Sequence, residues 1–244
     1  MWYVALFTTT PLGGRTSLRI PLGVLPIVCV ASLILALRRW AAAVVRANPS
    51  EQAIVAFAGF FWIVVTAACF AWMGLSIRED AIEQRNGAAT VAACGGIIGS
   101  FLLYLGASLG EGPSYESNAF SIGLAAPSWF ATWAVLNWLG NSSVSVTEER
   151  DSASGWRLAG YLTATGIIFG RAVAGDWTGM EGAVRDFFRD GWPGFALALP
   201  AVWVERMFRP TLQLPAPAVW FYGIVPAGIY VAIAVGVCIR LGPW

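Results

Sequence analysis

The chain has 244 residues, of which 57% are hydrophobic and 12% are charged, and its mean hydropathy is +0.66. A soluble domain carries about 25% charged residues, so this chain has too few polar residues to cover a surface that faces water. The same figures exclude a disordered chain, a collagen-like repeat and a disulfide scaffold. The formal net charge of +1 gives no basic field for binding nucleic acid. We therefore predict an all-α fold, a polytopic transmembrane helical bundle that forms one integral membrane domain over residues 1–244.

Two residue types are missing from the chain, and their absence narrows its chemistry. There is no histidine, which is the commonest general base and metal ligand, and all 15 basic residues are arginine. Lysine Schiff-base chemistry and a P-loop lysine are therefore excluded. We expect no catalytic residue, no metal site and no cofactor, and we do not expect an enzyme. The four cysteines lie in apolar runs without a CxxC spacing and are interpreted as reduced packing residues: Cys29, Cys69, Cys94 and Cys238.

Seven apolar runs approach the roughly 20 helical residues needed to cross about 30 Å of hydrocarbon. Charged residues follow several of them, such as Arg38-Arg39 after the first. The first run is long and lacks a small-x-small cleavage site, so we expect a retained signal-anchor. The sixth run is the shortest, and six spans are the alternative if it does not cross. The predicted spans are 20–37, 54–77, 87–109, 119–139, 156–174, 192–208 and 219–241.

Residues 180–190 have the pattern of an amphipathic helix. Val184 and Phe187 fall on one helical face, and Arg185 and Arg189 fall on the other. This pattern predicts a short interfacial helix in the plane of the lipid headgroups, and a structured loop packed on the bundle is the alternative. Many tryptophans lie near predicted span ends, where indole rings favour the headgroup level: Trp40, Trp138, Trp156, Trp177, Trp192, Trp220 and Trp244.

The sequence gives little indication of which loops lie on the cytoplasmic side of the membrane. Seven alternating spans place nearly equal numbers of arginines on the two sides, so the positive-inside rule does not decide between them. The loop 110–118 contains Glu111 and Glu116 and no arginine. We place this loop outside the cytoplasm, which leaves Arg85 and Arg150 on the cytoplasmic side.

The chain aligns with itself at a spacing of 65 residues. The segment Glu83-Gln84-Arg85-Asn86 matches Glu148-Glu149-Arg150-Asp151, and Gly95 matches Gly160. This register predicts two tandem helical hairpins, 54–111 and 119–176. Each hairpin contains two spans, so the two copies are predicted to run in the same direction through the bilayer.

Asn86 and Asp151 are candidate polar sites because each precedes a span rich in glycine and alanine. Their side chains can accept hydrogen bonds from the unpaired N–H groups of a first helical turn, which is the simpler interpretation. The alternative is a polar mouth between the two copies. Small residues let helices approach closely in lipid, so we expect spans 87–109 and 156–174 at the centre of the bundle.

The segment Arg85-Asn86-Gly87-Ala88-Ala89, with a weaker echo at 150–154, resembles the YjfL-type family of small bacterial inner-membrane proteins, whose function is unknown. The resemblance covers residues 54–176, and Asp151 stands where the family pattern has asparagine. It implies a location in the bacterial inner (cytoplasmic) membrane and a fold, but no activity.

Ionisable residues inside predicted spans are the remaining candidate sites. Arg171 lies three residues before the end of the fifth span, and its expected partner is Glu111, Asp176 or Glu205. A structural ion pair or a snorkelling side chain is the simpler interpretation. A gate or an anion-handling role is the alternative. We place Glu205 near the membrane interface.

Three functions are compatible with this sequence. We expect a non-catalytic accessory or scaffold-type subunit whose partners are the lipid bilayer and either further copies of itself or a larger membrane complex. The alternative is a small channel or transporter for an ion or small solute, which would need a polar cavity between spans 87–109 and 156–174 that contains Arg171. An intramembrane enzyme is third, because the sequence has no catalytic motif.

Overall fold

The computed structural model describes residues 19–109, 115–175, 179–209 and 218–242. Within these ranges the secondary structure is helical, with no strand. The prediction of an all-α membrane bundle is confirmed at this level, and the number of passes stays a prediction. Five helical segments are long and apolar enough to cross a membrane: Arg19–Trp40, Pro49–Met73, Gly87–Leu109, Glu116–Gly140 and Trp220–Leu241.

The helices are numbered here in chain order over the described residues. Three short non-α segments interrupt or join them: a 3₁₀ turn at Phe70–Met73 and π-helices at Ile77–Glu83 and Trp220–Ile224. The α-helices are α1 (Arg19–Trp40), α2 (Ala43–Ala47), α3 (Pro49–Cys69), α4 (Gly87–Leu109), α5 (Tyr115–Gly140), α6 (Ser142–Thr147), α7 (Ser152–Val173), α8 (Met180–Ala196), α9 (Ala198–Phe208) and α10 (Val225–Leu241).

Helices α4, α7 and α10 lie side by side and run in the same direction. Gly155 near the start of α7 contacts Ala88 near the start of α4, and Gly170 near its end contacts Leu102. On the other side of α7, Gly160 contacts Ala227 of α10. Most of α4 is buried, whereas the segment that contains α10 is largely exposed. The core therefore lies around α4 and α7, as the pattern of small residues predicts.

Helix α3 packs against α4 in the opposite direction. The Tyr104 hydroxyl of α4 donates to Val55 O of α3 at 2.9 Å, and the Trp62 indole of α3 donates to Ser100 O at 2.9 Å. Helices α8 and α9 together follow α7 from its end back to its start. The Phe187 ring of α8 lies 5.8 Å from the Phe169 ring.

The segment predicted as the second span, 54–77, is built differently from a single helix. Helix α3 begins earlier, at Pro49, because the Asn48 side chain accepts a hydrogen bond from Ser50 N at 3.0 Å. Its α-helical part ends at Cys69, and the 3₁₀ turn ends at Gly74, which has a φ of 76°. Glycine adopts this left-handed conformation without steric cost, so the chain turns before Arg78.

Helix α8 joins two segments that are predicted from the sequence as separate elements. It begins at Met180, runs through Pro193 and ends at Ala196, so 180–190 is continuous with the start of the predicted span 192–208. Phe187 and Ala183 are buried against the protein, whereas Met180 and Phe188 are exposed, so only part of the apolar face of this helix packs on the bundle. Whether residues 180–190 lie in the headgroup plane stays a prediction.

Candidate functional site

Helices α4 and α7 begin with the same hydrogen-bonded cap. The Asn86 Oδ1 atom accepts from Ala88 N at 3.0 Å and from Ala89 N at 3.2 Å. The Asp151 carboxylate accepts from Ala153 N at 3.1 Å and from Ser154 N at 2.9 Å. Both residues therefore act as N-caps, which agrees with the simpler interpretation of their position in the sequence.

The backbone that leads into the two caps also follows the same path. Arg85 and Arg150, which precede the caps, both have a φ of 54°. Gln84 N donates to Glu79 O at 2.8 Å, and Glu149 N, 65 residues later, donates to Val144 O at 3.1 Å. A non-glycine residue in the left-handed region is uncommon, so its occurrence at both positions is informative.

The two caps differ in what surrounds them. The Asn86 amide also donates to Val146 O at 2.8 Å and to Thr147 O at 3.3 Å, so it joins the start of α4 to the end of α6. An aspartate at this position could not donate these bonds. Asp151 instead faces a buried charged group formed with Ser154, Arg157 and Glu205, which we call the Arg157 cluster.

In the Arg157 cluster, one guanidinium joins three elements of the fold. Arg157 Nε donates to Glu205 Oε2 at 2.7 Å, and Nη2 donates to Glu205 Oε1 at 3.1 Å, which makes a bidentate pair between α7 and α9. Its Nη1 donates to Tyr222 O of the second π-helix at 2.7 Å. Arg157 and Glu205 are each only 2% exposed.

Ser154 connects the two carboxylates of the cluster. Its hydroxyl oxygen lies 2.8 Å from Asp151 Oδ2 and 2.6 Å from Glu205 Oε1. It also accepts from Arg157 Nη2 at 2.6 Å. The second carboxylate of the cluster is more distant from the cation, with Asp151 Oδ2 at 3.6 Å from Arg157 Nη2.

Arg157 and Ser154 are not among the site residues predicted from the sequence. Arg157 is the second residue of the predicted span 156–174. An arginine at the end of a span is expected to face the lipid headgroups, so its position in the sequence does not mark it as a site residue. The partner expected for Arg171 is wrong in one respect, because Glu205 pairs with Arg157 and not with Arg171. The physical reason is the direction of α9, which ends beside the start of α7, whereas Arg171 lies at its other end.

Arg171 binds the carbonyl groups of helix ends. Its Nη2 donates to Gly242 O at 3.1 Å and to Leu241 O at 3.4 Å, and its Nη1 donates to Ala174 O at 3.3 Å. These groups belong to the ends of α7 and α10, where carbonyls lack helical partners and a positive charge is favourable. Two other expected partners, Glu111 and Asp176, lie outside the described residues.

The interface between α4 and α7 is closed at the level of the backbone. A Cβ atom built on Gly106 would lie 1.9 Å from Gly170 O, and one built on Gly99 would lie 2.4 Å from Leu162 O. On the facing helix, a Cβ atom on Gly166 would lie 2.5 Å from the Cα of Gly99. These positions leave no space for a side chain between the two helices.

The chain was compared with family models, curated proteins and solved structures. None of them matches it. The resemblance of residues 54–176 to the YjfL-type family therefore stays an expectation, and the site must be interpreted from its own geometry.

An exposed ion pair lies at the edge of the Arg157 cluster. Arg209 Nη2 lies 2.5 Å from Glu149 Oε1, and both side chains are about one third exposed. The hydrogen bond from Arg209 lowers the pKa of Glu149, and the same bond raises the pKa of Arg209. The pair links the segment before α7 to the end of α9, next to the bond between Arg157 and Glu205.

Proposed function

We propose that this chain is a non-catalytic, scaffold-type subunit of a membrane assembly. The observation that carries the proposal is the α4–α7 interface, which is closed by backbone contacts at Gly99, Gly106 and Gly166. A conduit between these central helices would need a water-filled gap lined by polar groups. The bacterial inner membrane, as the location, rests on the resemblance of residues 54–176 alone.

The contacts of the ionisable groups support the same proposal. Arg157 holds Glu205 and the Tyr222 carbonyl, so its charge joins α7 to two other elements. Arg171 holds the carbonyls at the ends of α7 and α10. Each group thus stabilises contacts between helices, which is the role expected in a rigid structural bundle.

We further propose that the chain crosses the membrane seven times. Five segments meet the criteria of length and composition. The additional passes would be α7, which lies parallel to α4, and the pair α8–α9, which follows α7 back to its start. Arg157 and Arg171 lower the hydropathy of α7, but their hydrogen bonds to buried partners compensate for the cost of placing them in a membrane.

The tandem repeat of 54–111 and 119–176 is part of this proposal. Support comes from the matching caps at Asn86 and Asp151 and from the left-handed Arg85 and Arg150 that precede them. The parallel packing of α4 and α7 is the arrangement that two copies with the same orientation would have.

Cysteine accessibility would distinguish seven passes from five. In a variant whose four native cysteines are replaced, single cysteines would be placed at Ser50, Gln84, Glu148 and Glu181, all of which are exposed. In intact cells or oriented vesicles, seven passes put positions 50 and 181 on one side and positions 84 and 148 on the other. If only the five apolar segments cross, position 181 is labelled from the same side as positions 84 and 148.

The scaffold role is tested by isolation and by reconstitution. Solubilised in a mild detergent, the chain is expected to elute as a stable oligomer or complex, and reconstituted liposomes are expected to show no ion flux above empty liposomes. A monomer that conducts ions in liposomes would reject the scaffold and favour the small channel or transporter.

A further inference from the structure

Three exposed arginines lie where α1 ends and α3 begins, and we call them the basic corner. Arg38 and Arg39 are in the last turn of α1, and Arg46 is in the last turn of α2. The only carboxylate within residues 36–53 is Glu51, in the first turn of α3. The ends of α1 and α2 add at most about half a negative unit each, and the start of α3 adds about half a positive unit. An excess of positive charge therefore remains.

A buried glutamine holds the basic corner together. Gln52 of α3 is only 8% exposed. Its Oε1 atom accepts from Arg38 Nε at 3.4 Å, and its Nε2 atom donates to Arg46 O at 3.0 Å and to Val45 O at 3.2 Å. One side chain thus fixes the guanidinium of Arg38 and the backbone of Arg46 beside each other. This order is present before any ligand binds, which lowers the entropic cost of binding.

The guanidinium groups of the corner keep most of their donors for a ligand. Arg38 uses only Nε, so four of its five N–H donors have no partner among the described residues. Arg39 lies over the Trp40 ring, with Cζ 5.6 Å from the ring centroid, and a guanidinium in this arrangement can still bind an anion through its N–H groups. Arg78, by contrast, is paired with Glu83.

The surroundings of the corner favour a lipid over a soluble anion. The segments that contain α1 and α3 are both long and apolar enough to cross a membrane, so the corner lies where hydrocarbon meets headgroups. Trp40 and Val44, next to the arginines, are exposed, and tryptophan favours the headgroup level. Further along the two helices, Leu35 of α1 and Phe57 of α3 are also exposed, which provides apolar surface for acyl chains.

We propose that the basic corner binds the headgroup phosphate of an anionic phospholipid, whose acyl chains lie along α1 and α3. Two phosphate oxygens match the parallel N–H donors of a guanidinium. The excess positive charge attracts an anionic headgroup, whereas a zwitterionic headgroup carries its own cation. This property goes beyond the scaffold role and does not depend on it. It also does not depend on which side of the membrane the corner faces.

Native mass spectrometry of the full-length chain in a non-ionic detergent tests the proposal. The chain would be titrated with dioleoyl phosphatidylglycerol, which is anionic, or with dioleoyl phosphatidylcholine, which is zwitterionic. We expect the wild type to bind the anionic lipid at least about tenfold more tightly. The variant Arg38→Gln/Arg39→Gln/Arg46→Gln is expected to bind the two lipids within about twofold of each other.

The matched control is Arg78→Gln/Arg185→Gln/Arg189→Gln. It removes the same number of positive charges from exposed arginines outside the corner, so we expect it to keep the preference of the wild type. Circular dichroism checks that both triple variants are folded. The comparison of the two lipids in the wild type needs no variant, so it decides the question even if a variant does not fold.

Four results would overturn the proposal. The first is equal affinity of the wild type for the two lipids, and the second is a preference that persists when the corner arginines are replaced. The third is an equal loss of preference in the control, because any surface charge would then suffice. The fourth is displacement of bound phosphatidylglycerol by an equal concentration of inorganic phosphate, which would identify the ligand as a soluble anion.

Discussion

Helix α7 contacts its neighbours in two different ways on its two sides. Toward α4 it uses glycines, and the backbones themselves touch at Gly106 and Gly170. Toward α9 and the second π-helix it uses the Arg157 cluster, which consists of charged side chains and hydrogen bonds. The first interface depends mainly on shape, and it tolerates no added atom at these glycines. The second depends on the pairing of opposite charges.

The largest expected effect comes from filling the glycine interface. Gly106→Leu would force a side chain against Gly170 O, which cannot move without displacing α7. We expect a loss of at least about 3 kcal/mol of stability, or failure to fold. Unfolding in mixed detergent micelles, followed by circular dichroism, measures the effect.

The same substitution at an open glycine is the control for this prediction. Gly228 lies on the exposed side of α10, and no atom of a neighbouring element in the described ranges lies within 4 Å of its Cβ position. Gly228→Leu is expected to unfold like the wild type. Equal losses in the two variants would contradict the steric account of the α4–α7 interface.

The charged side of α7 is tested by removing its cation. Arg157→Met leaves the buried carboxylates of Asp151 and Glu205 without a counter-charge, and we expect a loss of about 3–5 kcal/mol in the same unfolding assay. The double variant Arg157→Met/Glu205→Leu is expected to recover part of this loss. Arg78→Met is the control, because its pair with Glu83 is exposed and contributes about 0–1 kcal/mol. If the single and double variants are equally unstable, charge balance does not govern this interface.

A smaller effect is expected at the two caps. Asn86→Ala removes the cap of α4 and the bonds to Val146 O and Thr147 O, for a loss of about 1–2 kcal/mol. Asp151→Asn keeps the cap of α7, so its loss is expected to be below about 1 kcal/mol. Thermal unfolding in detergent compares the two variants. A larger loss for Asp151→Asn than for Asn86→Ala would show that asparagine cannot replace aspartate as the cap of α7.

The smallest effect is the pH dependence of the pair between Glu149 and Arg209. The folded state has the lower pKa for Glu149, so the pair stabilises the protein above the unfolded pKa of about 4.3 and loses this contribution as the pH falls through the folded value. Because the pair is partly exposed, we expect less than about 0.5 kcal/mol. Glu149→Gln should flatten the part of the stability profile that lies below the unfolded pKa of about 4.3. An unchanged profile in this variant would assign the pH dependence to other carboxyl groups.

The local elements were largely predictable. The predicted span 87–109 coincides with α4, because a polar cap precedes a long run of small and apolar residues. The caps at Asn86 and Asp151 followed from the residue types and their positions. The turn at Gly74 was not predicted, because the apolar run continues through it to Ile77. Hydropathy averaged over many residues does not detect a single residue with a left-handed backbone.

The candidate site was less predictable, because its parts are distant in the chain. Arg157 and Glu205 are separated by 48 residues, and each lies near the end of an apolar run. Nothing local distinguishes an arginine that faces headgroups from one that pairs inside the bundle. The pairing follows from the direction of α9, which places its last turn beside the first turn of α7.

The amino-acid sequence by itself determined that this chain is helical and apolar enough for a membrane, and it determined where the central helices start. These properties depend on composition and on neighbours within a few residues, which a linear pattern records. Only the tertiary structure decided that glycines close one side of α7 and that Arg157 neutralises Glu205 on the other. Such contacts depend on how helices are placed in three dimensions, because distant residues meet only after the helices have packed.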